Sequence, residues 1–304
     1  MKILLLGRNG QLGWELQRSL APLGEVVALA SQAQGNPNQW CGDLANLEGL
    51  RQTVREVAPD LVVNAAAYTA VDKAQTDTQQ AYAVNALAPA LLAEETQRLG
   101  AWLMHYSTDY VFNGSGEQPW RESDACAPLS VYGASKHQGE REIARNPKHL
   151  ILRTSWVYAA RGSNFAKTML RLGAERDELR VIDDQIGAPT GAELLADVSA
   201  LALRQAIAQP ALAGLYHCAA SGQTSWHGYA QFVLQEARGL GMQIHVRPER
   251  ILPIKSADYA VAAPRPLNSR LDCSRIQELF SINLPFWQLA VRRMLEEIAV
   301  NHRL

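Results

Sequence analysis

Short, wholly apolar runs alternate with longer amphipathic stretches through the first 155 residues, and few folds accept that rhythm. The runs Lys2–Leu6, Val26–Leu29, Leu61–Asn64, Trp102–Ser107 and Leu150–Trp156 read as strands. Between them, Gln11–Pro22, Leu47–Val57, Thr78–Leu99 and Val131–Arg145 carry helical periodicity. Strands that are apolar on both faces must be covered on both faces, and helices between them supply the cover. Right-handed crossovers then leave one economical answer, an α/β, doubly wound, Rossmann-like parallel sheet.

After Ala159 the rhythm loosens. Asn164–Gly173 and Ala192–Gln209 look helical, Leu215–Cys218 extended, and Ser225–Leu240 helical with Thr224 or Ser225 as its cap. Ile251–Leu271, with Pro253, Pro264 and Pro266, reads as loop, and Phe286–Val300 as a closing helix. The expected division is a dinucleotide-binding domain over 1–160 with a returning segment about 187–219. A smaller C-terminal substrate lobe is expected over about 161–186 and 220–304.

Several functions are disfavoured. Lys plus Arg number 29 and Asp plus Glu 30, a net charge of -1, so the basic surplus of a nucleic-acid binder is missing. No stretch approaches the ~20 apolar residues of a membrane span. Ile3–Leu6 is too short for a signal-peptide core. Cys41, Cys126, Cys218 and Cys273 have no paired spacing, and the seven histidines none that suits zinc. A reducing, cytoplasmic setting is the expectation.

The turn after the first strand reads Gly7-Arg8-Asn9-Gly10-Gln11-Leu12-Gly13 and opens a helix. Glycines here permit a tight turn, close approach of a pyrophosphate, and close helix–strand packing. The helix N-terminus adds free N–H groups and partial positive charge. A plain β–turn–α corner is the alternative. At the end of the second strand, Ala28-Leu29-Ala30-Ser31 offers no carboxylate to repel a 2′-phosphate, and Arg8 can pair with one. NADPH is therefore expected to serve at least as well as NADH. Asp43-Leu44 can hold an adenine edge, or Asp43 can cap a helix near Asn46.

Tyr132-Gly-Ala-Ser-Lys136 places a phenol and an amine one helical turn apart. A free phenol titrates near 10, and lowering it by about three units takes about 4 kcal/mol. A positive charge about 4 Å away, at an effective dielectric of about 20, supplies roughly that. Tyr132 can then exchange a proton near neutral pH. Thr108, in Ser107-Thr108-Asp109, lies at a strand's C-terminal end, where doubly wound sheets bind ligands. Its hydroxyl can join a substrate carbonyl to the phenol. A surface Tyr–Lys pair and a loop-capping threonine are the bland readings.

Taken in order, these motifs resemble the extended short-chain dehydrogenase/reductase family, and within it the reductases of nucleotide-linked 4-ketosugars. The blocks 10–15, 64–74, 105–112, 152–158, 187–194 and 265–271 carry the likeness nearly end to end. The resemblance implies Tyr132 as general acid/base, Lys136 on the nicotinamide ribose, and Thr108 tuning Tyr132 and holding the sugar. It implies Gly10, Gln11 and Leu12 at the pyrophosphate, Asp43 and Leu44 at the adenine, and Ala67, Tyr68 and Thr69 at mid-cofactor. Asp109 and Trp156 would face the substrate. Family members often end the second strand with an acid, and Ala30 departs from this, which sets NADH preference aside.

Some residues keep two readings. Trp156 is a sugar- or base-stacking ring or a core tryptophan. Arg265 and Arg270 clamp a diphosphate or are solvated loop residues. Asn85 holds a water beside Lys136 or is a polar helix-surface residue. Glu15, Glu193 and Glu297 match the carboxylates around which some such reductases dimerise on Mg²⁺, or are ordinary surface acids. A homodimer is expected. Two rivals stand beside the reductase. One is a nucleotide-sugar epimerase or dehydratase, of which a dehydratase would need a second acid where Tyr110 follows Asp109. The other is a non-catalytic NADP-binding regulatory subunit, a class that often loses the Tyr or the Lys kept here.

Overall fold

The computed structural model describes residues 1–32 and 40–301. Five strands, β1 (Lys2–Leu6), β2 (Glu25–Leu29), β3 (Leu61–Asn64), β4 (Trp102–Thr108) and β5 (His149–Thr154), form the sheet with Gly214–His217. Their order is β2-β1-β3-β4-β5 and then Gly214–His217, every pair parallel. The reversal of direction between β1 and β3 opens a crevice at the strands' C-terminal ends. Ile3, Leu4, Leu5 and Leu6 are all fully buried, because helices cover both faces.

One face carries helix α1 (Gln11–Leu20) and Ala192–Ala208; the other carries α2 (Leu47–Val57), Ala88–Leu99 and Val131–Ile143. The glycine turn allows α1 its approach. Gly7 has φ +90°, and a Cβ there would lie 2.8 Å from the Ala66 nitrogen. A Cβ on Gly13 would lie 2.0 Å from the Gly7 oxygen.

Two expectations are corrected. Thr78–Leu99 is not one regular helix: Thr78–Tyr82 and Ala88–Leu99 are joined by a π turn, Ala83–Leu87. Pro89 has no N–H for the Asn85 carbonyl, and the Ala88 N–H instead reaches the Ala83 oxygen. Ile251–Leu271 is not all loop. Ile251–Ile254 pairs in parallel with Leu179–Ile182, a strand the periodicity also concealed. Both runs are only four residues long, and Pro253 obscures the second. Ser274–Phe280 forms a further short helix.

This strand pair packs with Phe165–Glu175 and Trp226–Gly239, and Trp287–Asn301 packs against the same two helices. Ser225, rather than Thr224, caps Trp226–Gly239, accepting from the Gly228 N–H.

The Val131–Ile143 helix is pinned to β5 by a buried ion pair. Arg153 Nε and Nη2 donate to Glu140 Oε1 and Oε2 at 2.8 and 2.7 Å, with both side chains 4% exposed. Burial alone would raise the Glu140 carboxyl; hydrogen bonds from Arg153 and His137 overcome this and hold it at about 2. Its stabilising contribution is thus present above the unfolded value of about 4.3 and lost as the pH falls toward the folded one. Glu140→Leu strands a buried guanidinium and is expected to cost about 3–5 kcal/mol in urea unfolding at pH 7. A cost below about 1 kcal/mol would show that water reaches Arg153.

Candidate active site

The crevice is a cleft of about 640 Å³. Gly7, Gly10, Gln11 and Leu12 line it, as do Tyr132 and Lys136. No side chain caps α1, so its first N–H groups face the cleft beside the partial positive charge of the helix end. Arg8 Nη1 lies 3.4 Å from the Ala28 oxygen, near the end of β2. Ala30 and Ser31 line the cleft there.

Asp43 and Leu44 line it as well. Asp43 Oδ1 accepts from the Ala45 N–H at 3.0 Å, while Asn46 caps α2 through the Gly49 N–H. The helix-cap reading of Asp43 therefore falls to Asn46. Ala67, Tyr68 and Thr69 form the middle wall.

Asn85 is not a surface residue. It is 1% exposed, accepts from the Tyr68 N–H at 2.9 Å, and donates to the Tyr68 oxygen at 3.0 Å and Ser135 Oγ at 3.1 Å. The π turn thus ties the wall at Tyr68 to the helix bearing Tyr132. A Cβ on Gly139 would lie 2.2 Å from the Asn85 oxygen, so a glycine is required where these segments meet.

At the reacting end, Thr108 Oγ1 accepts from the Tyr110 N–H and donates to Asp109 Oδ1, each at 3.1 Å. Its one hydrogen points to Asp109 here; it lowers the nearby Tyr132 phenol to the extent that this hydrogen turns to the phenolate. Burial pushes the Tyr132 phenol up to about 12; Thr108 lowers it and Asp109 raises it. Burial likewise raises Asp109 to about 6, against hydrogen bonds from Ser269 and Thr108.

The expected lowering of the phenol by Lys136 is corrected here. Burial brings the amine down to about 8, with Glu140 opposing. The amine turns to the Tyr106 oxygen at 2.6 Å and His105 Nε2 at 3.0 Å, and burial dominates at Tyr132.

The remaining candidates, Trp156, Arg265, Arg270, Glu15, Glu193 and Glu297, do not line the cleft. Trp156, at φ +50°, stacks on Trp226 with centroids 3.6 Å apart. Arg265 Nη2 donates to Asp72 Oδ2 at 2.6 Å. Arg270 donates to Gln223 Oε1 at 2.5 Å and to Asn268 Oδ1 at 3.0 Å. Both arginines already hold protein acceptors. Glu15, Glu193 and Glu297 meet at a separate small cavity with Trp14. Burial first, then Glu193 and Glu297 against Arg18, raises the Glu15 carboxyl.

The cleft wall also holds Val84, Tyr106, Ser107, Thr154, Val157, Gly162 and Ser163, which the motif reading missed. Tyr106, Ser107 and Thr154 could have been found from their places at the ends of β4 and β5. Gly162 and Ser163 have no sequence signal. They arrive because Asn164 Nδ2 donates to Gln11 Oε1 at 2.9 Å and to the Ala159 oxygen at 2.7 Å.

Cys126, His137 and Glu140 form a close set of metal-type side chains. Arg153 explains it, donating to Glu140 and, at 3.1 Å, to Cys126 Sγ. A cation already occupies that role.

Fold and cleft together define the extended short-chain dehydrogenase/reductase class. Residues 1–300 match the family described as RmlD substrate binding domain. A dTDP-4-dehydrorhamnose reductase from Escherichia coli (strain K12) is 52% identical over 299 residues, 98% of each chain. The solved dTDP-4-dehydrorhamnose reductase of Clostridium acetobutylicum superposes with TM-score 0.84 at 34% identity, covering 100% of both chains. That of Bacillus anthracis, in complex with NADP, gives 0.85 at 33%, covering 97% of this chain and 99% of its own. The chain belongs to the dTDP-4-dehydrorhamnose reductase family.

Proposed function

We propose that this chain reduces the C4 ketone of dTDP-4-dehydro-L-rhamnose to give dTDP-L-rhamnose, using NADPH or NADH. The supporting observation is that Tyr132, with Thr108 beside its phenol, and Lys136 line the same cleft as the glycine turn. That turn suits a pyrophosphate, since its glycines leave no room for a Cβ and the helix N–H groups are uncapped. A dinucleotide whose pyrophosphate is held by that turn would supply the hydride for C4 from its nicotinamide.

Tyr132 supplies the proton. With burial holding its phenol near 12, it enters the reaction protonated at neutral pH and can donate to the oxygen that becomes the C4 hydroxyl. Thr108, beside the phenol, can turn its hydrogen from Asp109 to the same oxygen. Lys136 keeps a positive charge beside the cleft, favouring negative charge as it develops. Gly7, Arg8, Gly10, Gln11, Leu12 and Gly13 serve the phosphates, Asp43 and Leu44 the adenine, and Ala67, Tyr68 and Thr69 the centre of the cofactor. On the substrate side stand Asp109, Trp156, Arg265 and Arg270. For the arginines this means exchanging Asp72 and Gln223 for phosphate oxygens.

The reading extends to a homodimer in the cytoplasm, where the four free cysteines suit a reducing medium. No helix among the described residues is long and apolar enough to cross a membrane. Trp14, 46% exposed, and the three carboxylates at Glu15, Glu193 and Glu297 offer an interface that Mg²⁺ would relieve of its mutual repulsion.

Tyr132→Phe is expected to lower kcat by about 10²- to 10⁴-fold in a spectrophotometric assay with dTDP-4-dehydro-L-rhamnose. Binding of NADPH, followed by fluorescence, should persist; near-normal turnover would remove Tyr132 from the chemistry. With wild-type protein, kcat/KM for NADPH should equal or exceed that for NADH, and a strong NADH preference would contradict the roles given to Arg8 and Ala30. EDTA should shift the gel-filtration peak from dimer to monomer, while an unchanged elution volume would count against Mg²⁺ at the glutamates.

A further inference from the structure

Lys136 enters the interior between its own helix and β4 and is 2% exposed. A buried ammonium needs an acceptor for each N–H it does not present to ligand. Two acceptors are in place, the Tyr106 oxygen at 2.6 Å and His105 Nε2 at 3.0 Å. One N–H remains for the cleft that Lys136 lines. Glu140, one turn further along the helix, has both oxygens taken by Arg153.

His105 has no other task in the chemistry described above. It is 1% exposed, and burial and the neighbouring Lys136 hold it well below the ordinary histidine value, so it stays neutral. Neutrality matters to its partner. A carboxylate at this position would cancel the ammonium charge and draw it out of the cleft. An imidazole lone pair fixes direction and leaves the charge intact.

We propose that His105 is a positioning residue for the reduction: its Nε2 accepts from Lys136 and, with the Tyr106 carbonyl, aims the remaining N–H into the cleft. This rests on the reductase reading of the cleft. It also has a consequence for protons. A neutral imidazole has one N–H, and if Nε2 accepts, that hydrogen is on Nδ1. The Asn64 carboxamide lies against Nδ1, with Nδ2 at 3.2 Å, while its Oδ1 accepts from the Ala66 N–H, also at 3.2 Å. Receiving the Nδ1 hydrogen requires the amide turned over, which gives up the bond from the Ala66 N–H and sets Nδ2 against that donor, so the tautomer is the point at which the proposal is most exposed. The opposite tautomer would donate from Nε2 and require Lys136 to be a neutral amine.

Long-range ¹H–¹⁵N correlation on histidine-labelled wild-type protein with NADPH present distinguishes the two. A pyridine-type Nε2 on His105 is expected; a pyrrole-type Nε2 would overturn the proposal. In kinetics, His105→Leu should lower kcat by about 10- to 100-fold with little change in the KM for the ketosugar. His105→Gln, whose amide oxygen can accept, should recover most of the loss. Equal loss in both folded variants, or loss in neither, would overturn it. Thermal melting reports whether each variant folds, and the tautomer measurement decides the matter if His105→Leu does not. Failure of wild-type protein to reduce the ketosugar would instead defeat the reductase reading, with the imidazole tautomer still legible.

Discussion

The Arg153–Glu140 pair holds the reacting centre to the sheet. Tyr132, Lys136 and Glu140 follow one another at intervals of four, so they share one face of their helix. Anchoring the last of them to β5 fixes the rotation of that helix, and with it the depth of the phenol and the amine. A buried ion pair is an expensive way to join two elements, since both charges lose water. Its geometry is directional in a way that an apolar contact is not, and a helix free to roll by a few degrees would misalign both groups.

Electrostatics at the other end of this helix are governed by dryness. The phenol is raised, the amine lowered and the Asp109 carboxyl raised, each chiefly by burial. All three shifts favour the less charged form. Such a centre keeps its proton on the phenol, the state required of a donor in ketone reduction. The spacing of Tyr132 and Lys136 suggested an ammonium pulling the phenol down, but spacing says nothing about where a flexible amine points. The carbonyl of Tyr106 and the ring of His105 decide that, and they arrive from a different strand.

The same distinction runs through what could be read in advance. The five main strands, the glycine corner and the order of cleft residues were legible because each rests on local pattern: apolar runs, turn chemistry, helical spacing. The Leu179–Ile182 and Ile251–Ile254 pair was not, since two runs of four residues become a sheet only on meeting across the 68 intervening positions 183–250. Asn85 kept two readings, because a polar residue in a long helical pattern carries no sign of whether it faces water or the interior. The loop at Gly162–Ser163 closes over the cleft through Asn164, a contact between Asn164 and Gln11 with no periodic signature.

The π turn at Ala83–Leu87 governs the relation between the two helices it joins. A wide turn accommodates about one residue more than a regular one. Each residue advances a helix by about 100°, so removing one would rotate Thr78–Tyr82 by more than a quarter turn relative to Ala88–Leu99. Asn85 would then leave its contacts with Tyr68 and Ser135. The register of the cleft wall is therefore a matter of chain length at this turn as much as of residue identity, and variation among relatives should spare the spacing from Thr78 to Pro89 even where it changes the residues between.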